Sequence, residues 1–69
     1  MEFIQWDGKI ESVKSFGIND PKVYDNCLYF ASNGLMFKAY EGDYIIKTLK
    51  GYFLSFDKDS FESISERIK

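Results

Sequence analysis

The residues of this chain that could do chemistry are few, and they do not converge. Asp57, Asp59 and Glu62 place three carboxylates within six residues, enough in principle to hold a divalent cation. A calcium loop of the EF-hand kind needs oxygen donors at alternate positions and a glycine for its turn, and Asp57-Lys58-Asp59-Ser60-Phe61-Glu62 breaks the alternation at Phe61 and has no glycine. The same spacing suits a capping box in which Asp59 opens a helix and Glu62 reaches back. Gly34, Gly42 and Gly51 lie eight and nine residues apart. Each sits at an expected strand reversal, not in the clustered pattern that wraps phosphate ahead of a helix. Cys27 is the only thiol and the chain contains no His. Its activation would depend on a lysine or a helix N-terminus. General acid–base work would rest on unpaired carboxylates alone. The expectation is a non-enzymatic protein with no cofactor and no metal site.

Tyr29, Met36, Lys38 and Tyr40 offer a different kind of chemistry, with Tyr44 as a further candidate. Interleaved tyrosines and a lysine on one sheet face can stack single-stranded bases. The same amphipathic rings, with methionine, are what protein interfaces favour. Charge weighs between the two. Nine basic against eleven acidic residues give a net charge of −2 and a pI near 4.9, and Arg67 is the only arginine. That is the wrong sign for attraction to a phosphate backbone, and it lacks the side chain that reads phosphates and guanines in a bidentate way. Contact with a protein or with a second copy is therefore favoured over an unremarkable half-exposed face and over nucleic acid, with small-molecule capture by a dimer as a further alternative. The acidic loop residues Asp25, Glu41 and Asp43 are expected to rim the face.

The elements that must position these residues follow from turn chemistry and periodicity. Glu2-Phe3-Ile4-Gln5-Trp6 reads as a strand ended by Asp7-Gly8, with Trp6 as a core anchor whose N–H reaches a carbonyl or water. Ile10, Val13 and Phe16 recur at helical spacing over residues 9–16, Asp7 can cap that helix, and Gly17 stops it. Residues 17–21 form a loop, because Pro21 lacks an amide donor and holds Asp20 out of helical geometry. Residues 23–32 read as one strand followed by Asn33-Gly34, the best hairpin signal in the chain. A two-residue loop there sets Ser32 opposite Leu35, Phe30 opposite Phe37 and Leu28 opposite Ala39, with those apolar residues on the core face. Cys27, Tyr29, Ala31, Met36, Lys38 and Tyr40 then share the other face.

The reversal at Glu41-Gly42-Asp43 fits a loop of two or three residues, and the difference decides which of Ile45 and Ile46 points inward. Residues 43–49 and 52–56 form a hairpin around Lys50-Gly51. Its doubled apolar pairs, Ile45-Ile46 and Phe53-Leu54, leave apolar surface on both faces in either register, which marks the second face as a place for a partner. A closing helix carries an apolar stripe of Phe61, Ile64 and Ile68 and a wet side of Glu62, Glu66 and Arg67. The order β-α-β-β-β-β-α predicts one α+β domain over residues 1–69, a small antiparallel sheet with the first strand at an edge and two helices on one face.

Composition bounds what such a domain can be. Hydrophobic residues make up 45% and aromatic ones 19%, which argues for a folded core built from large rings. At 69 residues the chain buries only about 60% of the surface its unfolded form exposes, so its stability margin is thin and a homodimer is a live option. No apolar run approaches the roughly 20 residues of a membrane span, and no signal-peptide layout opens the chain. A single cysteine and these absences lead to the expectation of a cytoplasmic protein.

Phe3-Ile4-Gln5-Trp6, Ile10-Glu11 and Phe16, then Gly42-Asp43-Tyr44-Ile45-Ile46-Lys47 with Lys50-Gly51, and Phe61 in a closing acidic helix, resemble a group of small proteins from phages and prophages of Gram-positive bacteria. Members of that group usually carry Glu where this chain has Tyr52, and often a longer middle. The resemblance implies a viral accessory protein that acts inside the host cell by binding and blocking a host protein such as a defence factor. It brings no catalytic residues with it.

Overall fold

The computed structural model describes residues 2–68, with side chains described over residues 2–64. The chain runs β1 (Glu2–Gln5), α1 (Ile10–Phe16), β2 (Lys22–Tyr24), β3 (Cys27–Ser32), β4 (Leu35–Tyr40), β5 (Tyr44–Lys47), β6 (Phe53–Phe56) and α2 (Lys58–Ile68). This is a small α+β fold with all strand pairs antiparallel. The strands form two sheets of three, β1-β5-β6 and β2-β3-β4, in place of one continuous meander. No helix among the described residues is long and apolar enough to cross a membrane.

Turn residues explain the second sheet. Residues 23–32 are not one strand, because Asp25 and Asn26 take φ of 53° and 63° and fold Tyr24 back opposite Cys27. Asn33 and Gly34 do the same at 53° and 77°, which gives the expected register of Ser32 with Leu35, Phe30 with Phe37 and Leu28 with Ala39. Positive φ at both central residues matches the right-handed twist of the flanking strands, and Asn, Asp and Gly tolerate it. Leu28, Phe30 and Ala39 are buried as expected, whereas Leu35 shares their face but lies at its end and is 60% exposed.

The reversal after β4 is not a hairpin. The Asp43 amide donates to the Tyr40 carbonyl at 2.9 Å to close a tight turn with Gly42 at φ 96°. The partner of the outgoing chain is the first strand, not β4. Trp6 N–H donates to the Asp43 carbonyl at 2.8 Å and Gly42 N–H to the Trp6 carbonyl at 2.9 Å, continuing the β1–β5 ladder. The chain thus crosses from one sheet to the other. Ile45 faces the core and is buried, and Ile46 faces away and is half-buried. The β5–β6 loop closes through Gly51 N–H to the Thr48 carbonyl at 3.0 Å, which leaves Leu49 at the exposed tip.

A single apolar cluster joins the elements. Trp6, Val13, Ile18, Leu28, Phe30, Ala39 and Ile45 form it, contributed by both sheets, by α1 and by the loops beside them. Full burial of each large side chain contributes roughly 1.5–3 kcal/mol. Trp6 satisfies its indole N–H on the Lys9 carbonyl at 2.9 Å, so the ring is buried at no polar cost. Where the sheets meet there is no backbone ladder. Phe53 N–H donates to Ser32 Oγ at 2.8 Å and Ser55 Oγ donates to the Lys38 carbonyl at 3.1 Å.

The two helices lie on opposite faces of the β1-β5-β6 sheet, not on one. Phe16 of α1 packs edge-on against Phe53 at 5.7 Å, on the face of Ile45. Phe61 of α2 stacks on Tyr44 at 4.0 Å and contacts Phe3 at 4.9 Å, on the face of Ile46. The second apolar face predicted for this sheet exists, and Phe61 of α2 packs on it, with Phe3 left 55% exposed. The cap of α2 is also displaced from the expected residue. Ser60 N–H donates to the Asp57 carboxylate at 3.2 Å, so Asp57 caps the helix and Asp59 lies in its first turn. Ile64 is exposed, and the side chains of Ile68, Glu66 and Arg67 lie outside those described. Gly17 ends α1 at φ 112°, with its N–H on the Lys14 carbonyl and that of Ile18 on Val13.

Candidate interaction face

The register of the β2-β3-β4 sheet sets the candidate residues in rows. Lys22, Tyr29 and Lys38 form one row, Tyr24, Cys27 and Tyr40 the next, and Ala31 with Met36 a third. All project away from Leu28 and Phe30. Tyr24 is 76% exposed, Met36 71% and Tyr40 54%, so none of the described elements covers this face. Tyr29, Met36, Lys38 and Tyr40 are therefore brought together as expected.

Lys38 is the centre of the arrangement. Its ammonium lies 5.0 Å from the Tyr40 ring centroid and 5.8 Å from that of Tyr29, within the range over which a ring quadrupole attracts a cation. The neighbouring Tyr40 hydroxyl holds the Lys38 ammonium above its ordinary value, and the Tyr29, Tyr40 and Cys27 groups add to the effect. Cys27 shares the face by parity but is buried in the row between Tyr24 and Tyr40.

The remaining candidates fall elsewhere. Tyr44 belongs to the other sheet, where Phe61 stacks on its ring. Of the acidic rim, Asp25 stands exposed in the β2–β3 turn at the Tyr24 end. The Asp43 carboxylate is committed to the turn, accepting the Tyr40 N–H at 2.8 Å. Glu41 leans over Gly8, where a Cβ would lie 2.6 Å from its Oε1. The residue the sequence reading missed is Tyr24, which pairs with Cys27 across the Asp25-Asn26 turn. The signal was present in that dipeptide, two residues that both tolerate left-handed backbone.

Elsewhere the polar groups serve the fold. Asp7 accepts from Lys9 N–H at 3.0 Å and from Ser12 Oγ at 2.7 Å, and these bonds, the one from Ser12 foremost, hold its carboxyl below the usual value. Asp57 is lowered in the same way, first by Ser60. Among the described residues no three His, Cys, Asp or Glu side chains gather as a cation site. Comparison with protein-family models, curated proteins and solved structures returns no match to this chain.

Proposed function

We propose that this protein is a non-enzymatic accessory protein of phage type that docks on a host protein, and blocks it, through the open face of the β2-β3-β4 sheet. The observation that carries the reading is the contrast in cover. The β1-β5-β6 sheet has a helix on each face, whereas Tyr24, Met36 and Tyr40 stand exposed on a sheet with one bare side. Large exposed rings around a fixed cation suit a protein contact, since Tyr presents wide area with little rotamer freedom to lose. The resemblance to phage proteins supports an intracellular host target, a defence factor being the concrete form, with action in the host cytoplasm.

Affinity capture from a Gram-positive host lysate tests the reading. The chain carrying Tyr29→Ser with Tyr40→Ser should lose the partners that the unaltered chain retains, at an unchanged near-ultraviolet circular dichroism spectrum. Equal capture by both chains would refute docking through this face.

A further inference from the structure

We infer that the open face takes a segment of the partner protein that presents a carboxylate between apolar side chains, the carboxylate meeting Lys38 and the apolar groups meeting the rings of Tyr29 and Tyr40. This rests on the docking reading above and adds the chemistry of the partner. The first observation is a local inversion of charge. The whole chain carries eleven acidic and nine basic residues, yet the only charged residues that project from the strands onto this face are Lys22 and Lys38. A sheet face whose own strand residues bring lysines and no carboxylate, on an acidic protein, complements an anion at Lys38, where basic partners are turned away.

The second observation separates the two lysines. Lys22 already has Asp20 at 3.2 Å, while among the described residues Lys38 has no carboxylate within 4.0 Å. Its neighbours are rings, which attract the ammonium without neutralising it. A lysine so placed is half of an ion pair already held in position, and less side-chain freedom is lost when the other half arrives.

Phosphate is the rival anion. Nucleic acid would bring a continuous line of charge past a protein of pI 4.9 with Arg67 as its one arginine, so repulsion from the rest of the surface opposes it. A peptide carboxylate brings one charge where one is wanted. The geometry of the sheet also directs the segment onto the face. Of the sheet's two edges, β4 lies beside β6, with Ser55 Oγ on the Lys38 carbonyl, and β2, between Pro21 and the turn at Asp25, has three residues, too short to recruit a long added strand.

The test uses a short synthetic peptide alternating Glu with Leu and Phe, its counterpart with Lys in place of Glu, and an oligothymidylate. Each is titrated into the isotopically labelled full chain and followed by NMR. The acidic peptide should shift the ring signals of Tyr29 and Tyr40 and the side-chain signals of Lys38. It should bind at least about tenfold more tightly than its basic counterpart. Lys38→Met should erase that preference and Lys38→Glu should reverse it, both with native amide spectra. The inference falls if the basic peptide binds as well, if the preference survives Lys38→Met, if the shifts map elsewhere, or if the oligothymidylate binds most tightly. It also falls if neither peptide binds while Tyr29→Ser with Tyr40→Ser still loses the lysate partner, and in that case the docking reading stands. Retention of that partner by the double variant overturns the docking reading itself.

Discussion

The two sheets of this protein have the same number of strands and share one core, but they differ in what lies on their far sides. The β1-β5-β6 sheet carries a helix on each face, α1 on the Ile45 face and Phe61 of α2 on the Tyr44 face, with Phe3 at the edge of that cover and 55% exposed. The β2-β3-β4 sheet is half open. Its far side holds tyrosines, a methionine and lysines with none of the described elements laid over them. Adjacent apolar residues such as Ile45-Ile46 are what a doubly covered strand needs, while alternation such as Leu28-Tyr29-Phe30 fits a strand wet on one side. Pattern and cover agree in β5 and β3, whereas Leu35-Met36-Phe37 of β4 sets an apolar Met36 on the open face. The exposed rings of the open sheet lie outside the shared cluster, which supports the contact proposed for them.

The largest effect should come from the shared core. Phe30 is buried and stacks on Phe37 at 5.3 Å, so Phe30→Ala should cost about 3–5 kcal/mol. For so small a domain that approaches the whole margin, and urea unfolding followed by circular dichroism should show both sheets lost in one transition. Separate transitions would break the view that one core serves both. Removing the cover of the closed sheet comes next. Phe61→Ala loses the stack on Tyr44 and the contact with Phe3 and should cost about 1–2 kcal/mol. The measurement is the shift in urea midpoint, with dye binding to the uncovered face as a second readout.

The open face should behave in the opposite way. Tyr29→Ser with Tyr40→Ser removes the cross-strand partner of Lys38, its neighbour along β4 and part of the cover over Cys27, but no side chain of the shared cluster, so the expected loss is about 1 kcal/mol or less. A loss as large as that of Phe61→Ala would erase the distinction between the sheets. The smallest effect concerns the attachment of the covering helix. Asp57 is lowered from its ordinary value of 3.8 by its hydrogen bonds with Ser60. A depressed carboxyl favours folding above its unfolded value, and the contribution is lost as pH falls through the folded one. Thermal melts between about pH 5 and pH 2 should therefore fall less steeply for Asp57→Asn than for the unaltered chain.

What could be read from the sequence tracks with how local its cause is. Asn33-Gly34 fixed a register by itself, and with it the faces of Tyr29, Met36, Lys38 and Tyr40. Gly17 ended α1 for reasons contained in one residue. Asp25-Asn26 obeys the same turn chemistry, but inside an apolar run it reads as strand, and Tyr24 was hidden with it. The crossing at Gly42 could not be read, because it depends on Trp6 taking the hydrogen bonds that a hairpin would have given to β4. The placement of α2 followed from that crossing, since the side of the sheet bearing Tyr44 is decided there. Asp59 has the capping-box spacing to Glu62, but the helix starts at Lys58 and the Ser60 N–H goes to Asp57.

Trp6 has a further consequence. It is the only tryptophan, buried in the cluster common to both sheets, and Tyr24, Tyr29 and Tyr40, three of the five tyrosines, stand on the open face. The molecule therefore carries two separate optical labels. Emission from the indole reports the integrity of the interior, and absorbance from the phenols reports events on the surface. A titration that moves the second and leaves the first at its folded wavelength distinguishes occupancy of the face from loss of structure in a single cuvette.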